Sequence, residues 1–300
     1  SAAFRRSIVN SYIANHNYDG MHFLITGANG QLGRALQRTL IGHSLVLVDL
    51  PEIDITERPA ISTLVEKERP DMVIHCAAYT DVDGCARDPV LAHRVNAFGT
   101  QNVALACQSA DIPMVHISTN EVFSGDRTSG YEEWMPLSPR NPYGVSKAAA
   151  ETFVRTILNR FYIVRTAWLY APGGRNFIHA ILSRARETGA IRVVTDEVGN
   201  PTYVEDLAEA ISRLLTTGQY GIYHFVNSGA CSRWAFDNEI LRQTGLSDVA
   251  NTPILSSEYA RPSNPPPFGA LHNRNGAALG IILRPWQEAL TDYLRHESSL

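Results

Sequence analysis

The feature that most constrains the fold is a regular alternation between short apolar runs and longer segments with helical spacing. Beginning at Met21, runs such as MHFLITG (21–27) and MVIHCAA (72–78) alternate with segments such as QLGRALQRTLIG (31–42). Continuous apolar runs separated by amphipathic helices are typical of a parallel sheet that helices cover on both faces. The sequence therefore predicts an α/β fold built on a Rossmann-type, doubly wound parallel sheet.

The pattern changes after Tyr170, where loops lengthen and proline and glycine become more frequent. The segment RPSNPPPFG (261–269) contains three consecutive prolines, which exclude a helix or a central strand there. We predict a dinucleotide-binding Rossmann domain over 21–170 and a smaller C-terminal substrate-binding lobe, mainly over 171–300 and partly interleaved with the sheet domain. Residues 1–20 are assigned to an N-terminal extension, because they lack the long apolar region of a signal peptide.

The same periodicity predicts individual elements. Residues 86–110 have the spacing of one long amphipathic helix, and residues 160–170 form an apolar run typical of a strand. In the C-terminal half, helical spacing covers 204–217 and 232–244. These elements would continue the alternation of strands and helices into the predicted lobe.

Composition excludes several classes of partner. The chain has a net charge of −4 and a pI of about 6.2, so it has no basic excess with which to bind nucleic acid. No apolar run reaches the roughly 18 residues of a membrane span. The 4 cysteines lie far apart, without the spacing of a metal site or a disulfide framework. We therefore expect a cytoplasmic protein with reduced thiols and no bound metal.

A glycine-rich turn follows the first apolar run and opens the first helix. Gly27, Gly30 and Gly33 allow a tight turn, close approach of the backbone to a pyrophosphate, and close packing of the helix on the strand. Asp49 ends the second run, where an acidic residue can hold the adenosine ribose hydroxyls. Asp49 favours NAD, whereas Arg34 could accommodate a 2′-phosphate. We therefore predict NAD(P)H as the cofactor, the alternative being a glycine turn without a ligand.

A tyrosine and a lysine stand one helical turn apart in NPYGVSKAAAE (141–151). Tyr143 and Lys147 would lie on one face of a helix, where the ammonium group would lower the tyrosine pKa. Such a tyrosine can protonate a carbonyl oxygen while hydride reaches the carbon. Ser118 and Thr119 end a nearby apolar run, and one of their hydroxyls could bind the same oxygen.

These motifs resemble the extended short-chain dehydrogenases/reductases and, within that superfamily, the dTDP-4-dehydrorhamnose reductase family. The resemblance extends over most of residues 21–295 and includes RPDMVIHCAAYTDVD (69–83), STNEVF (118–123), VVTDEVGNPTY (193–203) and LRPWQEAL (283–290). It implies NAD(P)H-dependent reduction of the C4 keto group of dTDP-4-dehydro-6-deoxy-L-mannose to dTDP-L-rhamnose. Thr119, Tyr143 and Lys147 would then carry the catalysis.

The resemblance also implies binding roles for individual residues. Those implied to bind the cofactor are Gly27, Gly30, Gln31, Leu32, Gly33, Asp49, Asp54, Ile55, Ala77, Ala78, Thr80, Tyr143 and Lys147. Those implied to bind the nucleotide sugar are Thr119, Asn120, Trp168, Asn176 and Phe177. Arg261 is added because guanidinium matches phosphate geometry, although it could equally be a solvated loop charge.

One departure from the family pattern leaves alternatives open. The family usually has an acidic residue and then an aromatic residue after the catalytic threonine, where this chain has Asn120 and Glu121. The alternatives are a reductase or epimerase of another nucleotide-linked 4-keto sugar, and a non-catalytic NAD(P)-binding regulatory subunit. An epimerase would need a second acid/base, and the sequence offers no obvious one beyond Tyr143. The resemblance also leaves a homodimer open.

Overall fold

Twelve short strands form the sheets of the protein within residues 20–173 and 176–297, which the computed structural model describes. In chain order these strands are β1 His22–Thr26, β2 Ser44–Val48, β3 Met72–His75, β4 Met114–Thr119, β5 Phe161–Thr166, β6 Leu169–Tyr170, β7 Ala190–Val194, β8 Val198–Gly199, β9 Thr202–Tyr203, β10 Gly221–His224, β11 Cys231–Ser232 and β12 Ala250–Ile254. The largest sheet has six strands in the order β10-β5-β4-β3-β1-β2, and every neighbouring pair in it is parallel.

The helices of the described residues alternate with these strands. They are α1 Gln31–Thr39, α2 Arg58–Glu68, α3 Val82–Arg87, α4 Pro89–Ala92, a π-helix His93–Gly99, α5 Thr100–Ser109, α6 Pro142–Ile157, α7 Phe177–Thr188, α8 Val204–Leu215, α9 Arg233–Gln243, α10 Asn275–Ala278 and α11 Trp286–Glu297. Helices α8 and α9 confirm the helices predicted over 204–217 and 232–244 to within two residues at each end.

Both faces of the large sheet are buried. Successive side chains of a strand point to opposite faces, and in β1 Phe23 and Ile25 pack in a core that includes α1, α8 and α11. Leu24, between them, packs in a second core that includes α2, α5 and α6. The other central strands divide their residues in the same way. A parallel sheet covered on both faces confirms the predicted doubly wound fold.

The order of the strands creates a crevice at one edge of this sheet. From β1 the chain continues to β2 on one side, and β3 then pairs with the other side of β1. In open α/β sheets, ligands bind outside the carboxyl ends of the strands at such a switch point. The glycine turn follows β1 and residues 76–80 follow β3, so both lie at this position.

Two predicted elements are interrupted. The helix predicted over 86–110 is broken at Asp88, whose side chain accepts a hydrogen bond from the Leu91 amide and caps a new helix that Pro89 begins. The strand predicted over 160–170 is broken after Thr166, since Trp168 has a left-handed backbone with φ of 45°. In both places local backbone chemistry overrides the apolar pattern.

The C-terminal half contributes to both parts of the molecule. Its short sheets pair β7 with β12, β8 with β11 and β6 with β9. However, α8 packs on α1, and β10 extends the large sheet beside β5. The domain boundary at Tyr170 stays a prediction, and the predicted N-terminal extension lies outside the described residues apart from Gly20.

Candidate active site

A cavity of about 890 Å³ opens at the carboxyl ends of β1, β3 and β4. It brings together most of the side chains predicted from the sequence: Gly27, Gly30, Gln31, Leu32, Gly33, Asp49, Asp54, Ile55, Ala77, Ala78, Thr80, Thr119, Asn120, Tyr143, Lys147 and Trp168. The predicted residues Asn176, Phe177 and Arg261 are not among the described residues that line it. The site therefore extends from the glycine turn to the Tyr143 helix.

The glycine turn is shaped to leave the start of α1 open. Gly27 has φ of 67°, and a Cβ there would lie 2.5 Å from the Ala77 amide nitrogen. A Cβ at Gly33 would lie 2.7 Å from Ala28 Cα, so neither glycine can be replaced without moving backbone. Gly30 is the N-cap of α1 and has no side chain to accept from the first helical amides. These amides and the positive end of the helix suit a pyrophosphate.

Asp49 holds the glycine turn in place. One carboxylate oxygen accepts a hydrogen bond of 2.9 Å from the Asn29 amide, and the other accepts one of 2.9 Å from the Leu50 amide. Each oxygen keeps capacity for a further donor, as a ribose hydroxyl would require. The predicted role of Asp49 toward the adenosine ribose fits this geometry and stays a prediction.

Thr119, Tyr143 and Lys147 form what we call the catalytic corner. Thr119 ends β4, and its hydroxyl accepts a hydrogen bond of 3.2 Å from the Glu121 amide. Tyr143 lies in the first turn of α6, which begins after the capping residue Asn141. Lys147 donates a hydrogen bond of 2.6 Å from Nζ to the Ile117 carbonyl of β4. The helix and the strand end are thereby fixed to each other.

The electrostatics of the corner differ from the sequence-based expectation. Burial raises the pKa of Tyr143 and is the largest influence on it. The Glu121 carboxylate raises this pKa further, whereas a hydrogen bond with Thr119 lowers it. The prediction of a lowered tyrosine pKa is therefore wrong for this structure. Burial also lowers the pKa of Lys147 to about 8, against the charge of Glu151, which raises it. At neutral pH the corner thus holds a protonated phenol and a mostly protonated amine.

A buried ion pair braces the corner from behind. Arg165 donates to both oxygens of Glu151, from Nε at 2.9 Å and from the guanidinium NH2 group at 2.7 Å. Ser118 donates a hydrogen bond of 2.6 Å to the same carboxylate, and the side chains of Arg165 and Glu151 are only 1% and 0% exposed. This network was not predicted from the sequence, although a charged residue inside the apolar run of β5 was a signal that a partner must exist.

Asn96 provides a second brace on the other side of Tyr143. It lies in the π-helix, a feature that is frequent at functional sites. Its side-chain oxygen accepts a hydrogen bond of 2.7 Å from the Tyr79 amide, and its nitrogen donates to Ser146 Oγ at 3.0 Å. Asn96 therefore ties the loop after β3 to α6.

The two residues that depart from the family pattern have different surroundings. Asn120 is buried, and its side-chain nitrogen donates to the Gly269 carbonyl at 3.1 Å, which ties the strand end to the proline-rich loop. Glu121 lines the cavity and accepts a hydrogen bond from the Asn141 side chain. Burial is the largest influence on Glu121 and raises its pKa. The carboxyl group in this part of the cavity is therefore supplied by Glu121 rather than by residue 120.

Trp168 and Arg233 also line the cavity, and with Glu197, which lies beside Arg233 outside the lining, they form what we call the Trp168–Arg233 wall. The guanidinium carbon of Arg233 lies 3.8 Å from the centroid of the Trp168 ring, in cation–π contact. Arg233 Nε lies 3.5 Å from a Glu197 carboxylate oxygen. Arg233 is the first residue of α9, and the pairing of β8 with β11 places it beside Glu197. Arg233 was not predicted from the sequence, because no local motif marks it.

The three predicted residues outside the cavity lining have structural partners. Arg261 Nε lies 3.1 Å from an Asp83 carboxylate oxygen. Asn176 caps α7 by accepting a hydrogen bond of 3.1 Å from the His179 amide. Phe177 stacks on Phe236, with ring centroids 5.9 Å apart. Their predicted roles toward the nucleotide sugar stay predictions.

Two kinds of feature are absent from residues 20–173 and 176–297. No group of three or more histidine, cysteine, aspartate or glutamate side chains in this part of the chain could hold a metal ion. Over the same residues, no helix combines the length and the apolar character needed to cross a membrane.

Comparisons with known proteins agree with this geometry. A family model described as the RmlD substrate binding domain matches residues 21–299. The dTDP-4-dehydrorhamnose reductase of Mycolicibacterium smegmatis is 38% identical over 275 residues, which cover 90% of this chain and 84% of that protein. The spore coat polysaccharide biosynthesis protein SpsK of Bacillus subtilis is 37% identical over 278 residues, covering 92% of this chain and 98% of its own.

Solved structures show the same relationship in three dimensions. The structure of dTDP-4-dehydrorhamnose reductase from Bacillus anthracis in complex with NADP matches with a TM-score of 0.89 at 38% identity, over 92% of this chain and 99% of that one. UDP-glucose 4-epimerase from Thermus thermophilus, in complex with NAD, matches over 93% of this chain and 99% of its own, with a TM-score of 0.77 at 22% identity. The second likeness shows the fold alone.

Proposed function

The chain belongs to the RmlD family of dTDP-4-dehydrorhamnose reductases, and we propose how it carries out the family's reaction. It reduces the C4 keto group of dTDP-4-dehydro-6-deoxy-L-mannose with NAD(P)H and yields dTDP-L-rhamnose. The observation that carries the proposal is the catalytic corner, where Thr119 and Tyr143 are hydrogen-bonded at the edge of the cavity that the glycine turn opens.

The residues of the chain divide the reaction between them. When bound, NAD(P)H supplies the hydride that forms the new C–H bond at C4. Tyr143 gives its phenolic proton to the former keto oxygen, which becomes a hydroxyl group, and recovers a proton from solvent. Thr119 donates a hydrogen bond to the same oxygen and orients it. Lys147 contacts the nicotinamide ribose, and its positive charge stabilises the phenolate that forms when Tyr143 loses its proton.

The glycine turn accounts for cofactor binding in this proposal. The unpaired first amides of α1 take the pyrophosphate, and Asp49 takes the adenosine ribose. The loop after β3, with Ala77, Ala78 and Thr80, lines the path toward Tyr143. Because the similar reductase from Bacillus anthracis was solved with NADP, we expect NADPH to be accepted.

One observation favours a second candidate activity. Glu121 places a carboxyl group of raised pKa in the cavity, within electrostatic reach of Tyr143. An epimerase of a nucleotide-linked 4-keto sugar needs such a second acid/base, because the protons beside the keto group must be removed and returned. The third reading, a non-catalytic regulatory subunit, is disfavoured by the intact Thr119, Tyr143 and Lys147.

We further propose that the protein is cytoplasmic and forms a homodimer. Exposed Val90, Phe98 and Val145 line one groove formed by α4, the π-helix and α6, and this groove is the surface we assign to the second copy. Sedimentation of the wild type and of Phe98→Asp tests the homodimer. A monomeric wild type contradicts it.

The proposed function is tested by following NAD(P)H absorbance with dTDP-4-dehydro-6-deoxy-L-mannose and identifying the product by mass spectrometry. We expect one equivalent of NAD(P)H to be consumed for each dTDP-L-rhamnose formed. The same reaction in D₂O reports the second activity, since deuterium at carbons 3 or 5 of the sugar requires proton removal beside C4. A protein that binds NADPH and the substrate without oxidising the cofactor contradicts the reductase.

A further inference from the structure

Arg233 lines the cavity, and the proposed reaction does not use its guanidinium group. Its side chain is 23% exposed and lines the cavity together with Glu121 and Trp168. Its Nε faces Glu197 at 3.5 Å, while its two terminal NH2 groups have no hydrogen-bond partner in the described part of the chain. A guanidinium group carries five N–H donors, and leaving them unpaired in a partly buried site costs free energy. These donors are therefore available to a ligand in the cavity.

The guanidinium group is held in one position. Ser232 caps α9 by accepting a hydrogen bond of 3.1 Å from the Ala235 amide, and the Arg233 amide donates to the Glu197 carbonyl at 3.1 Å. The guanidinium carbon then lies over the Trp168 ring, 3.8 Å from its centroid. The indole is itself fixed by Gly199, where a Cβ would lie 2.6 Å from Trp168 Cε2. Both backbone and ring contacts thus preorganise the free NH2 groups.

This arrangement changes which group meets the sugar. The family resemblance implies that Trp168 binds the nucleotide sugar, but Arg233 occupies a face of the indole. A sugar that approaches the catalytic corner from this face contacts the guanidinium group rather than the ring. Glu121, which acts electrostatically on both Arg233 and Tyr143, links the wall to the corner.

Arg233 could bind either the oxygens of the diphosphate or the hydroxyl oxygens of the sugar, and the charged groups around it favour the sugar. Two guanidinium groups, of Arg233 and Arg261, lie among three carboxyl groups, of Glu121, Glu197 and Asp83. A diphosphate added here would meet a net excess of acidic groups. A neutral sugar brings no such repulsion, and its hydroxyl oxygens accept the free N–H donors.

Resting on the proposed function, we infer that Arg233 is a specificity-determining residue that binds hydroxyl oxygens of the sugar and not the diphosphate. The Trp168–Arg233 wall thereby selects a hydroxylated 4-keto sugar. The carboxylate of Glu121, across from Arg233, offers the acceptor that such hydroxyl groups need for their protons.

The experiment measures, by calorimetry on NADP⁺-saturated protein, the Kd of dTDP-L-rhamnose and the Kd of dTDP. Their ratio isolates the contribution of the sugar. In Arg233→Met, which keeps a long apolar side chain on Trp168, we expect the Kd of dTDP-L-rhamnose to rise about tenfold to a hundredfold. The Kd of dTDP should stay within about twofold of wild type, since the diphosphate is not contacted. Arg233→Lys should lie between, because it keeps the charge but loses the planar fork.

The matched control is Arg242→Met on the same helix. Arg242 is 66% exposed and pairs with Glu239 at the surface, so neither Kd should change. If Arg233→Met raised the Kd of dTDP and the Kd of dTDP-L-rhamnose equally, Arg233 would bind the diphosphate. If neither Kd changed, Arg233 would only support the Trp168 ring. Both outcomes overturn the inference, as does a wild type that binds dTDP-L-rhamnose no more tightly than dTDP.

Binding is measured without turnover, so the inference and the proposed function can fail separately. If wild type binds dTDP-L-rhamnose more tightly than dTDP but never oxidises NADPH, the reductase activity is contradicted. The inferred role of Arg233 is not affected by that result. Where turnover is seen, Arg233→Met should raise KM for the 4-keto sugar by more than it lowers kcat, because the contact is made away from C4. The melting temperature and NADPH affinity of each variant confirm that it is folded.

Discussion

The two sides of the cavity are built in different ways. The catalytic corner comes from one strand end and the helix that follows it, and Thr119, Tyr143 and Lys147 are at most 9% exposed. The Trp168–Arg233 wall comes from three separate segments, and the Arg233 side chain remains 23% exposed. The corner is braced by a buried ion pair, whereas the wall is held by a cation–π contact and a longer ion pair.

This difference suggests that the corner carries out the chemistry and that the wall recognises the sugar. Proton transfer requires fixed positions, and a helix tied to a buried strand supplies them. Recognition of a particular sugar can change with the residues that the lobe brings to the opposite side, without disturbing the corner.

The largest expected effect tests whether the chemistry is confined to the corner. Tyr143→Phe removes the phenolic proton donor and leaves the ring packed. We expect kcat to fall by about 10²- to 10⁴-fold, the range of general acid catalysis. Stopped-flow or steady-state measurement of NADPH oxidation gives kcat, and calorimetry gives the unchanged affinity for dTDP-L-rhamnose.

The control for this change is Tyr220→Phe, at a tyrosine that is 37% exposed and away from the cavity lining. It should leave kcat unchanged. If Tyr143→Phe weakened substrate binding and left kcat unchanged, the corner would serve recognition. That result would contradict the assignment of chemistry to the corner and recognition to the wall.

A smaller effect is expected from removing the brace behind the corner. Glu151→Ala leaves the guanidinium group of Arg165 buried without its partner, which typically costs about 3–5 kcal/mol in the free energy of unfolding. Urea denaturation measures this loss. Arg192→Ala is the control, because the pair of Arg192 with Glu258 is largely exposed and should contribute about 0–1 kcal/mol.

The same brace should act on the pH dependence of the reaction. Lys147 has a pKa of about 8, and the charge of Glu151 raises it. If the ammonium form is needed, activity is present below about pH 8 and is lost as pH rises above it. Glu151→Gln removes the charge, so the alkaline loss of kcat/KM should move to lower pH. If the dependence of kcat/KM on pH did not change, Glu151 would not act on the protonation of Lys147 during the reaction and would have a purely structural role.

The corner could be predicted from the sequence because its residues are local. The spacing of Tyr143 and Lys147 on one helix and the hydroxyls at the end of β4 follow from the periods of helix and strand. The glycine turn and Asp49 are likewise fixed by their place after successive strands. The direction of the Tyr143 pKa could not be predicted, since it depends on burial and on Glu121, which only the folded structure places beside it.

The wall could not be predicted for a related reason. Arg233 reaches the cavity through the pairing of two-residue strands, β8 and β11, which leave almost no periodic signal in the sequence. The left-handed backbone at Trp168 lies inside a continuous apolar run, so the sequence gives no sign of the interruption or of the contact between its indole and Arg233. Long-range placement of this kind is set by tertiary packing rather than by local pattern.

The smallest effect concerns the helix that carries the wall. Asp237 lies one turn after Arg233 in α9 and is fully buried, and neither carboxylate oxygen has a hydrogen-bond partner among the described residues. Burial raises its pKa from 3.8 to about 7. The folded protein therefore holds the proton more tightly than the unfolded chain, and stability is lost as pH rises from about 4 through about 7.

Asp237→Asn removes this dependence because the amide resembles the protonated acid and does not ionise. We expect the variant to match wild type near pH 4 and to be more stable by a few kcal/mol at pH 8, since each unit by which burial raises the Asp237 pKa corresponds to about 1.4 kcal/mol. Urea denaturation at the two pH values measures the difference, and Asp248→Asn, at an exposed aspartate, should show none. An equal gain in the free energy of unfolding at both pH values would mean that ionisation of Asp237 does not destabilise the helix that carries Arg233. The wall would then be as stable as the corner.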